Sequence, residues 1–288
     1  MYGVYVKNSN KLIKIVISDY ERCFFCITQR KGGTNMEYLY HYTSLSSLAL
    51  ILKNKTLRFN SLINMDDAEE VKTKNSEYLG KYCFISSWTD KEEESIPFWG
   101  LYTNKMSGVR VKMQKYPFNK KKYTLSYYDN GKEFESFVPE SLIQRKDIYL
   151  YPTLPFLREV EYTNNDDLIY PEPINYLYKN PDGTFNLEGN FNNINKFKRD
   201  SWCFQSEWRY GFLIFPHNEK GCLKLQLEAN AKDLPFYFYD FKLSEAAFDD
   251  IEILTGPKMN SGDKELLKIL CEKYCPKARI RESQLKIN

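Results

Sequence analysis

The sequence predicts an α+β fold, a single domain of short mixed or antiparallel strands with a few helices. Two observations predict this class. Short segments with a period of two recur along most of the chain, and helical patterns are few and do not alternate with them regularly. The 288 residues, of which 42% are hydrophobic, supply enough apolar mass for a sizeable core and exclude a disordered or fibrous chain.

Residues 1–35 form a separate segment at the start of the chain. They contain β-rich runs at 12–17 and 23–28 and end in a turn-like stretch that includes Gly32 and Gly33. We interpret this segment as an accessory N-terminal extension, with Met36 as a candidate natural start. Residues 36–288 are assigned to the domain.

The clearest local pattern lies between residues 37 and 52. Residues 37–42 alternate as a strand, and from Leu45 onward apolar residues recur at helical spacing, with Thr43 or Ser44 placed to cap the helix. His41 is therefore expected at a strand end beside a helix N-terminus, where free backbone N–H groups favour anions.

Weaker patterns predict the other elements. Strands are expected at 57–59, 82–88, 108–113, 157–162, 206–215, 222–227 and 251–254, and helices at 97–102, 192–202 and 262–274. The last helix is expected to bury Leu266, Leu267, Leu270 and Tyr274. The Asn-, Asp-, Pro- and Gly-rich stretch 164–195 predicts a long surface excursion.

The charge balance does not select a partner. Lysine and arginine number 41 against 38 acidic residues, so an anionic partner is neither required nor excluded. The dense basic run 120–122 is read as a solvated loop, with a nucleic-acid contact as the alternative. No stretch approaches the roughly 20 apolar residues of a membrane span, and no secretory pattern opens the chain.

Cysteine and histidine usage limits the chemistry. Seven scattered cysteines favour a reduced, cytoplasmic protein without structural disulfides. Cys23 and Cys26 with Cys271 and Cys275 offer a loose zinc spacing, but buried thiols are the favoured reading. Because the chain has only two histidines, a three-histidine metal centre is excluded, and we expect no metal. His217 follows a proline in a turn-like stretch and is expected to be exposed, which leaves His41 for any histidine chemistry.

Common catalytic motifs are absent: the phosphate loop, the GxGxxG turn, the HExxH zinc helix and the GxSxG elbow. Two constellations remain. One is the strand end around His41, whose alternative reading is a core histidine bonded to a carbonyl. The other is strand 206–215, where Glu207 and Arg209 share one face; its alternative reading is a surface ion pair.

Several short blocks occur in a fixed order between residues 36 and 286. They are Leu-Tyr-His-Tyr-Thr-Ser with a Leu-rich helix at 39–52, the Asn-Asp loop at 64–70, Cys-Phe at 83–84 leading to Trp88, Phe-Trp at 98–99, Gly-Val at 108–109, Val-Glu-Tyr at 160–162, the run from Trp202 to Arg209, and Ile-Leu-Thr-Gly-Pro at 253–257. Together they resemble a widespread bacterial domain-of-unknown-function family. The loop departs from the usual Phe-Asn-Asp-Pro, and Gln205 stands where the family often has Glu.

The same order of elements is similar, more loosely, to the ADP-ribosyltransferase superfamily, and to its DNA-modifying toxins in particular. That resemblance implies a split β-sheet core and NAD as the substrate, with His41 on the nicotinamide-side ribose and Glu207 as the catalytic carboxylate. The neighbours Tyr42 and Thr43 would belong to the NAD site. The resemblance also implies an aromatic wall that stacks on nicotinamide, for which Trp99 or Tyr102 is the candidate, and Arg58 or Arg209 is the candidate ligand of the pyrophosphate.

Three functions follow as expectations. The first is an ADP-ribosyltransferase that modifies a macromolecule, plausibly DNA or RNA, in a toxin or phage-defence system, with an antitoxin as a possible protein partner. The second is an NAD glycohydrolase that uses the same site with water as the acceptor. The third is a non-catalytic module whose aromatic side chains, 16% of the chain, bind nucleic acid or a partner protein.

Overall fold

The structure, a computed structural model, describes residues 2–8, 11–17, 37–124, 133–179, 185–216 and 234–287. Its strands are β1 (Tyr2–Asn8), β2 (Lys11–Ile17), β3 (Tyr38–Thr43), β4 (Thr56–Ser61), β5 (Cys83–Thr89), β6 (Val109–Gln114), β7 (Lys121–Thr124), β8 (Glu133–Ser136), β9 (Ile148–Glu159), β10 (Glu161–Tyr162), β11 (Ile174–Lys179), β12 (Phe185–Gly189), β13 (Phe197–Lys198), β14 (Glu207–Pro216), β15 (Phe238–Lys242), β16 (Glu252–Thr255) and β17 (Arg279–Glu282). Its helices are α1 (Leu45–Asn54), α2 (Ile96–Tyr102), α3 (Glu140–Ile143), α4 (Asp166–Ile169) and α5 (Ser261–Tyr274).

Most of these strands belong to one sheet. Within the described ranges it has nine strands in the order β15-β4-β5-β3-β6-β16-β17, with β14 pairing with both β5 and β9. All of its ladders are antiparallel except the one between β16 and β17. The α+β class is therefore confirmed. None of the helices in the described part of the chain is long and apolar enough to cross a membrane.

The sheet splits at one edge of β5. On its other edge β5 pairs along its whole length with β14, from Cys83 opposite Leu213 to Thr89 opposite Glu207. On the split edge β4 pairs only at Phe84 and Ile85, and β3 pairs only at Thr89. Among the described strands, none pairs with 86–88 on this edge, so β3 and β4 diverge and leave a gap between them.

An aromatic core contains side chains from β4, β5, β14 and β15. The rings of Phe84 and Phe212 stack 5.7 Å apart, and Phe59 meets Phe241 edge-on at 4.8 Å. All four side chains are at most 1% exposed. Aromatic pairs of this kind add about 0.5–1.5 kcal/mol each beyond their area burial, so this packing fixes the strands from which the gap opens.

The pattern-based assignments 37–42, 57–59, 82–88, 97–102, 108–113, 206–215 and 251–254 are confirmed to within one or two residues. The helix expected at 192–202 is wrong. Two 3₁₀ turns, Phe191–Asn193 and Asp200–Gln205, flank β13, which pairs with β10. Asn195 has a φ of 64°, a left-handed value that a right-handed helix does not contain.

The stretch 164–195 is not only a surface excursion, because α4, β11 and β12 lie within it. The final helix buries Leu267, whereas Leu266 is 54% exposed and Leu270 and Tyr274 are half-buried against the core. The basic run is exposed as expected, but Lys121 and Lys122 lie in β7 rather than in a loop.

Several other expectations concern particular segments. The run 12–17 is confirmed as β2, which pairs with β1 and, through Val16, with β12. Cys271 and Cys275 are buried free thiols. Residues 23–28, His217 and the strand expected at 222–227 lie outside the described residues.

Candidate functional site

A cleft of about 450 Å³ opens where the sheet splits, a volume within the usual range for small-molecule sites. It is bordered by β3, β4 and β5, by helices α1 and α2, by the loop that follows β4 and by the start of β14. Its lining includes His41, Tyr42, Thr43, Ser47, Arg58, Asp66, Asp67, Glu70, Ser87, Phe98, Tyr102, Lys198, Gln205, Glu207 and Asp240.

His41 spans the gap in the sheet. Its Nδ1 lies 2.9 Å from the Ser87 carbonyl oxygen, and its ring centroid lies 5.0 Å from that of Trp88. Burial lowers the pKa of His41 below 6.5, although the Ser87 carbonyl acts in the opposite direction. A neutral ring with its proton on Nδ1 leaves Nε2 as a hydrogen-bond acceptor. His41 therefore bonds to a carbonyl, as in the core-histidine reading, and also lines the cleft.

Glu207 is the first residue of β14 and is anchored at both backbone and side chain. Its backbone N–H donates to the Tyr162 hydroxyl at 2.8 Å. Arg209 lies two residues further along the same strand face, and its Nε and Nη2 donate to the two carboxylate oxygens at 2.7 and 2.9 Å. Because Arg209 is 0% exposed and Glu207 is 4% exposed, the surface-ion-pair reading is wrong.

Two more charged side chains complete this buried cluster. Lys198 Nζ lies 3.2 Å from Glu207 Oε2 and 3.6 Å from Glu70 Oε2. Arg209 Nη1 lies 2.5 Å from Glu70 Oε1. We call Glu70, Lys198, Glu207 and Arg209 the buried charge cluster. It contains two carboxylates and two cations and carries no net charge when all four are ionised.

The pKa values of the two carboxyl groups in the cluster are shifted in opposite directions. Burial alone would raise the pKa of Glu207, but Arg209 and Lys198 outweigh it and lower that pKa to about 2. For Glu70 burial prevails over the same two cations and raises the pKa. Glu207 is thus ionised at neutral pH and is the carboxylate suited to stabilising positive charge.

Gln205 connects the cluster to the cleft wall. Its Oε1 accepts from Lys198 Nζ at 2.8 Å, and its Nε2 donates to the Tyr102 hydroxyl at 2.6 Å. Burial raises the pKa of Tyr102, so its phenol stays protonated and can donate its own proton. The Tyr102 ring lies 5.5 Å from Phe98, which makes this side of the cleft aromatic.

The structure separates the paired sequence candidates. Tyr102 lines the cleft, whereas Trp99 is 0% exposed and donates its indole N–H to Glu94 at 3.0 Å. Arg58 lines the cleft, whereas Arg209 lies behind Glu207. Each pair thus contributes one residue to the cleft wall.

Arg58 is not free at the cleft wall. Its Nε and Nη2 donate to the Asp240 carboxylate at 2.8 and 2.9 Å, and its guanidinium stacks 3.8 Å from the Phe238 ring centroid. A ligand anion would therefore compete with Asp240 for this guanidinium.

Tyr42 and Thr43 line the cleft beside the start of α1. Ser44 is the N-cap of this helix, and its hydroxyl accepts from the Ser47 N–H at 3.1 Å. Tyr42 packs between Phe98 and Trp99 at ring distances of 4.8 Å. This packing holds α2, and with it Tyr102, against β3.

Three functional side chains were not expected from the sequence: Glu70, Lys198 and the cleft-facing Gln205. Glu70 ends the Asn-Asp loop, which is one of the blocks that carry the resemblance, and Lys198 lies shortly before another, the run from Trp202 to Arg209. Their proximity to these blocks was the available signal. Glu70, however, lies far along the chain from its partners Lys198 and Arg209.

The lining of the cleft is acidic. Five carboxylates, Asp66, Asp67, Glu70, Glu207 and Asp240, face two cationic side chains, Arg58 and Lys198. Asp240 and the two glutamates are ion-paired. Asp66 and Asp67 therefore carry the uncompensated charge. A cationic group is favoured next to these side chains.

In the described part of the chain, no group of three or more His, Cys, Asp or Glu side chains is arranged to hold a metal ion. We find no match to the chain among protein-family models, curated proteins or solved structures.

Proposed function

We propose that the cleft binds NAD and cleaves its nicotinamide–ribose bond, with transfer of ADP-ribose to a macromolecular acceptor. The observation that carries this proposal is that His41 and Glu207, from β3 and β14, line one cleft together with the Tyr102 ring. A neutral imidazole, an ionised carboxylate and an aromatic wall are what recognition of a ribosyl pyridinium requires.

The reaction needs positive charge to be stabilised. The bond between ribose C1 and the nicotinamide nitrogen breaks, its electron pair leaves with nicotinamide, and the ribose becomes oxocarbenium-like. The acceptor oxygen or nitrogen then bonds to C1 and loses its proton. Glu207 supplies fixed negative charge beside the ribose. His41 Nε2 is available to accept a hydrogen bond from a ribose hydroxyl, because Nδ1 is hydrogen-bonded to the Ser87 carbonyl oxygen.

The charge pattern suits the two ends of NAD differently. The nicotinamide ring is cationic and fits the acidic interior of the cleft. The pyrophosphate needs donors, which the start of α1 offers near Thr43 and Ser47, and which Arg58 offers at the opposite wall. NAD would thus enter with its nicotinamide toward Glu207.

Two further points support an ADP-ribosyltransferase-like assignment within a bacterial family of unknown function. The sheet splits beneath the cleft, as that resemblance implies. The blocks at 39–52, 64–70 and 202–209 all contribute to the cleft wall. A role in toxicity or phage defence, with a protein antitoxin, belongs to the same proposal.

Two alternatives remain distinct. An NAD glycohydrolase would use the same side chains with water as the acceptor. A non-catalytic nucleic-acid module is less well supported, because the carboxylate-rich lining would repel a phosphate backbone within the cleft.

Nicotinamide release from NAD, followed chromatographically, tests the proposal. The wild-type protein should release nicotinamide, and Glu207→Gln should lose at least about 100-fold in rate, the scale of removing one transition-state stabilising group. Glu245→Gln is the matched control, since Glu245 is 79% exposed and pairs only with Lys55 among the described residues.

Labelled NAD offered with DNA, RNA or cell protein then distinguishes transfer from hydrolysis. Label on a macromolecule supports the transferase, and free ADP-ribose alone supports the glycohydrolase. Absence of nicotinamide release by the wild type, or release that persists unchanged in Glu207→Gln, would overturn the catalytic assignment.

A further inference from the structure

The Glu70 carboxylate is buried between the two cations of the buried charge cluster. Its side chain is 2% exposed, and neither oxygen accepts a hydrogen bond of good geometry from the described residues. Its oxygens lie 2.5 Å from Arg209 Nη1 and 3.6 Å from Lys198 Nζ, so they are held by ion pairs. A carboxylate buried in this way is costly, so its retention beside the cleft calls for an explanation.

The two cations direct their hydrogen bonds elsewhere. Arg209 donates Nε and Nη2 to Glu207, and Nη1 to the Asn195 carbonyl oxygen at 3.1 Å. Lys198 donates to Glu207 and to Gln205. Glu207 is thus held by hydrogen bonds from both cations, and Glu70 supplies their second counter-charge.

The backbone fixes Glu70 in this position. The Gly80 N–H donates to the Val71 carbonyl oxygen at 2.8 Å. A Cβ atom at Gly80 would lie 2.7 Å from Val71 Cα and 2.9 Å from the Glu70 carbonyl oxygen. Only glycine permits this approach, so the segment that bears Glu70 is held against the turn Leu79–Tyr82.

Charge balance gives Glu70 a purpose. Without it, two cations would face the single carboxylate of Glu207, and the local net charge would be positive. A positive site would oppose the cation that develops as an N-glycosidic bond breaks. With an ionised Glu70 the cluster is neutral, and Glu207 can direct negative potential into the cleft.

We propose that Glu70 is a positioning residue: it offsets the charge of Lys198 and Arg209, so that these cations orient Glu207 without cancelling its effect on the substrate. The catalytic part of this inference rests on the proposed NAD chemistry. The charge-balance part does not rest on that chemistry, and the stability of the protein alone can test it.

The test uses Glu70→Gln, which keeps the shape and removes the charge, and Glu70→Gln/Lys198→Met, which removes one cation as well and restores neutrality. Glu69→Gln is the matched control. It removes the same charge one position earlier, where the partners are Arg199 and Tyr170 and where Asp166 still pairs with Arg199.

For nicotinamide release, Glu70→Gln should lower kcat about 10- to 100-fold, the usual effect of losing an outer partner of a functional group, with KM for NAD changed less than about twofold. The double variant should recover at least several-fold of that loss, and Glu69→Gln should match the wild type. A Glu70→Gln effect confined to KM, or no kinetic recovery in the double variant, would refute the positioning role.

Unfolding by urea tests the charge balance without NAD. The double variant should be more stable than Glu70→Gln, because it no longer buries an unbalanced cation. Equal or lower stability of the double variant refutes the charge balance whatever the activity. If the double variant regains stability but the wild-type protein releases no nicotinamide, the charge balance is sustained and the proposed function is rejected instead.

Discussion

His41 and Ser87 are joined across the split in the sheet by a hydrogen bond of 2.9 Å from the ring Nδ1 to a backbone carbonyl oxygen. The carbonyl belongs to the stretch of β5 that has no strand partner on this edge among the described residues, so the imidazole completes the backbone pairing there. A backbone carbonyl can only accept. The proton is therefore fixed on Nδ1, and Nε2 is kept as an acceptor.

Substituting His41 should weaken NAD binding while the fold remains. His41→Ala removes the Nε2 acceptor, and loss of one hydrogen bond of about 0.5–1.5 kcal/mol corresponds to roughly a 2- to 10-fold higher Kd. Calorimetric titration with NAD gives the Kd, and circular dichroism on heating reports the fold. A protein that no longer folds would favour a purely structural histidine.

Acid stability should depend on Glu207. Its folded-state pKa of about 2 lies below the ordinary value of 4.5, so its ionised form stabilises the folded state above pH 4.5, and this contribution is lost as the pH falls toward 2. The unfolding free energy of Glu207→Gln should therefore fall less steeply than that of the wild type between these pH values. Urea titrations across that range provide the measurement, and identical slopes would contradict the ionised, cation-paired state.

The close approach at Gly80 should not tolerate a methyl group. In Gly80→Ala the new Cβ would meet backbone atoms of Glu70 and Val71. The segment would have to move, which should cost about 1–3 kcal/mol in unfolding free energy and lower nicotinamide release. Gly100→Ala is the control, since its Cβ would lie 3.8 Å from Met106 Cε and alanine suits helix α2. Equal stability of the two variants would contradict the packing.

Trp99 and Tyr102 should respond differently to substitution. Trp99→Phe loses the hydrogen bond to Glu94 in the core and should lower stability by about 1–3 kcal/mol, with no change in Kd for NAD. Tyr102→Ala removes the ring from the cleft wall. Stacking of about 1–3 kcal/mol on a ligand ring would be lost, which raises the Kd at least about fivefold. If Trp99→Phe raised the Kd for NAD and Tyr102→Ala lowered only the stability, the ligand would lie on the other side of α2.

Releasing Arg58 should strengthen NAD binding. Asp240→Asn removes both the competing partner of Arg58 and one carboxylate of the lining. An exposed pair of this kind is worth about 0.2–1 kcal/mol, so the Kd should fall by up to roughly fivefold at low salt and less at high salt. Asp249→Asn, which breaks an exposed pair with Lys277, is the control. A weaker affinity in Asp240→Asn would argue against Arg58 as a phosphate ligand.

Local sequence patterns predicted the elements that carry His41 and Glu207. The change of period at residue 43 marks the end of β3 and the start of α1, and the alternation from 207 marks β14. These signals are local because each follows from the side chains of one strand or helix. The placement of Glu207 and Arg209 on one face also follows from strand geometry alone.

The buried charge cluster could not be predicted in this way. Lys198 was assigned to a helix, and it reaches Glu207 only because β13 forms beside β10. Glu70 joins through the close packing on Gly80. Likewise, the packing of Tyr42 against α2 determines whether Trp99 or Tyr102 faces the cleft. This contact joins two elements, so the sequence pattern of neither element predicts it.

The gap between β3 and β4 also has a consequence for the proposed binding of a ligand. Both strands are hydrogen-bonded to the same strand, β5, so the spacing of these two walls is set by the sheet itself. Under the proposed function a ligand would meet a surface that is already assembled, and little conformational entropy would oppose its entry. Discrimination would then come from size: a group wider than the gap would be excluded, and a smaller one would leave the lining carboxylates in contact with water.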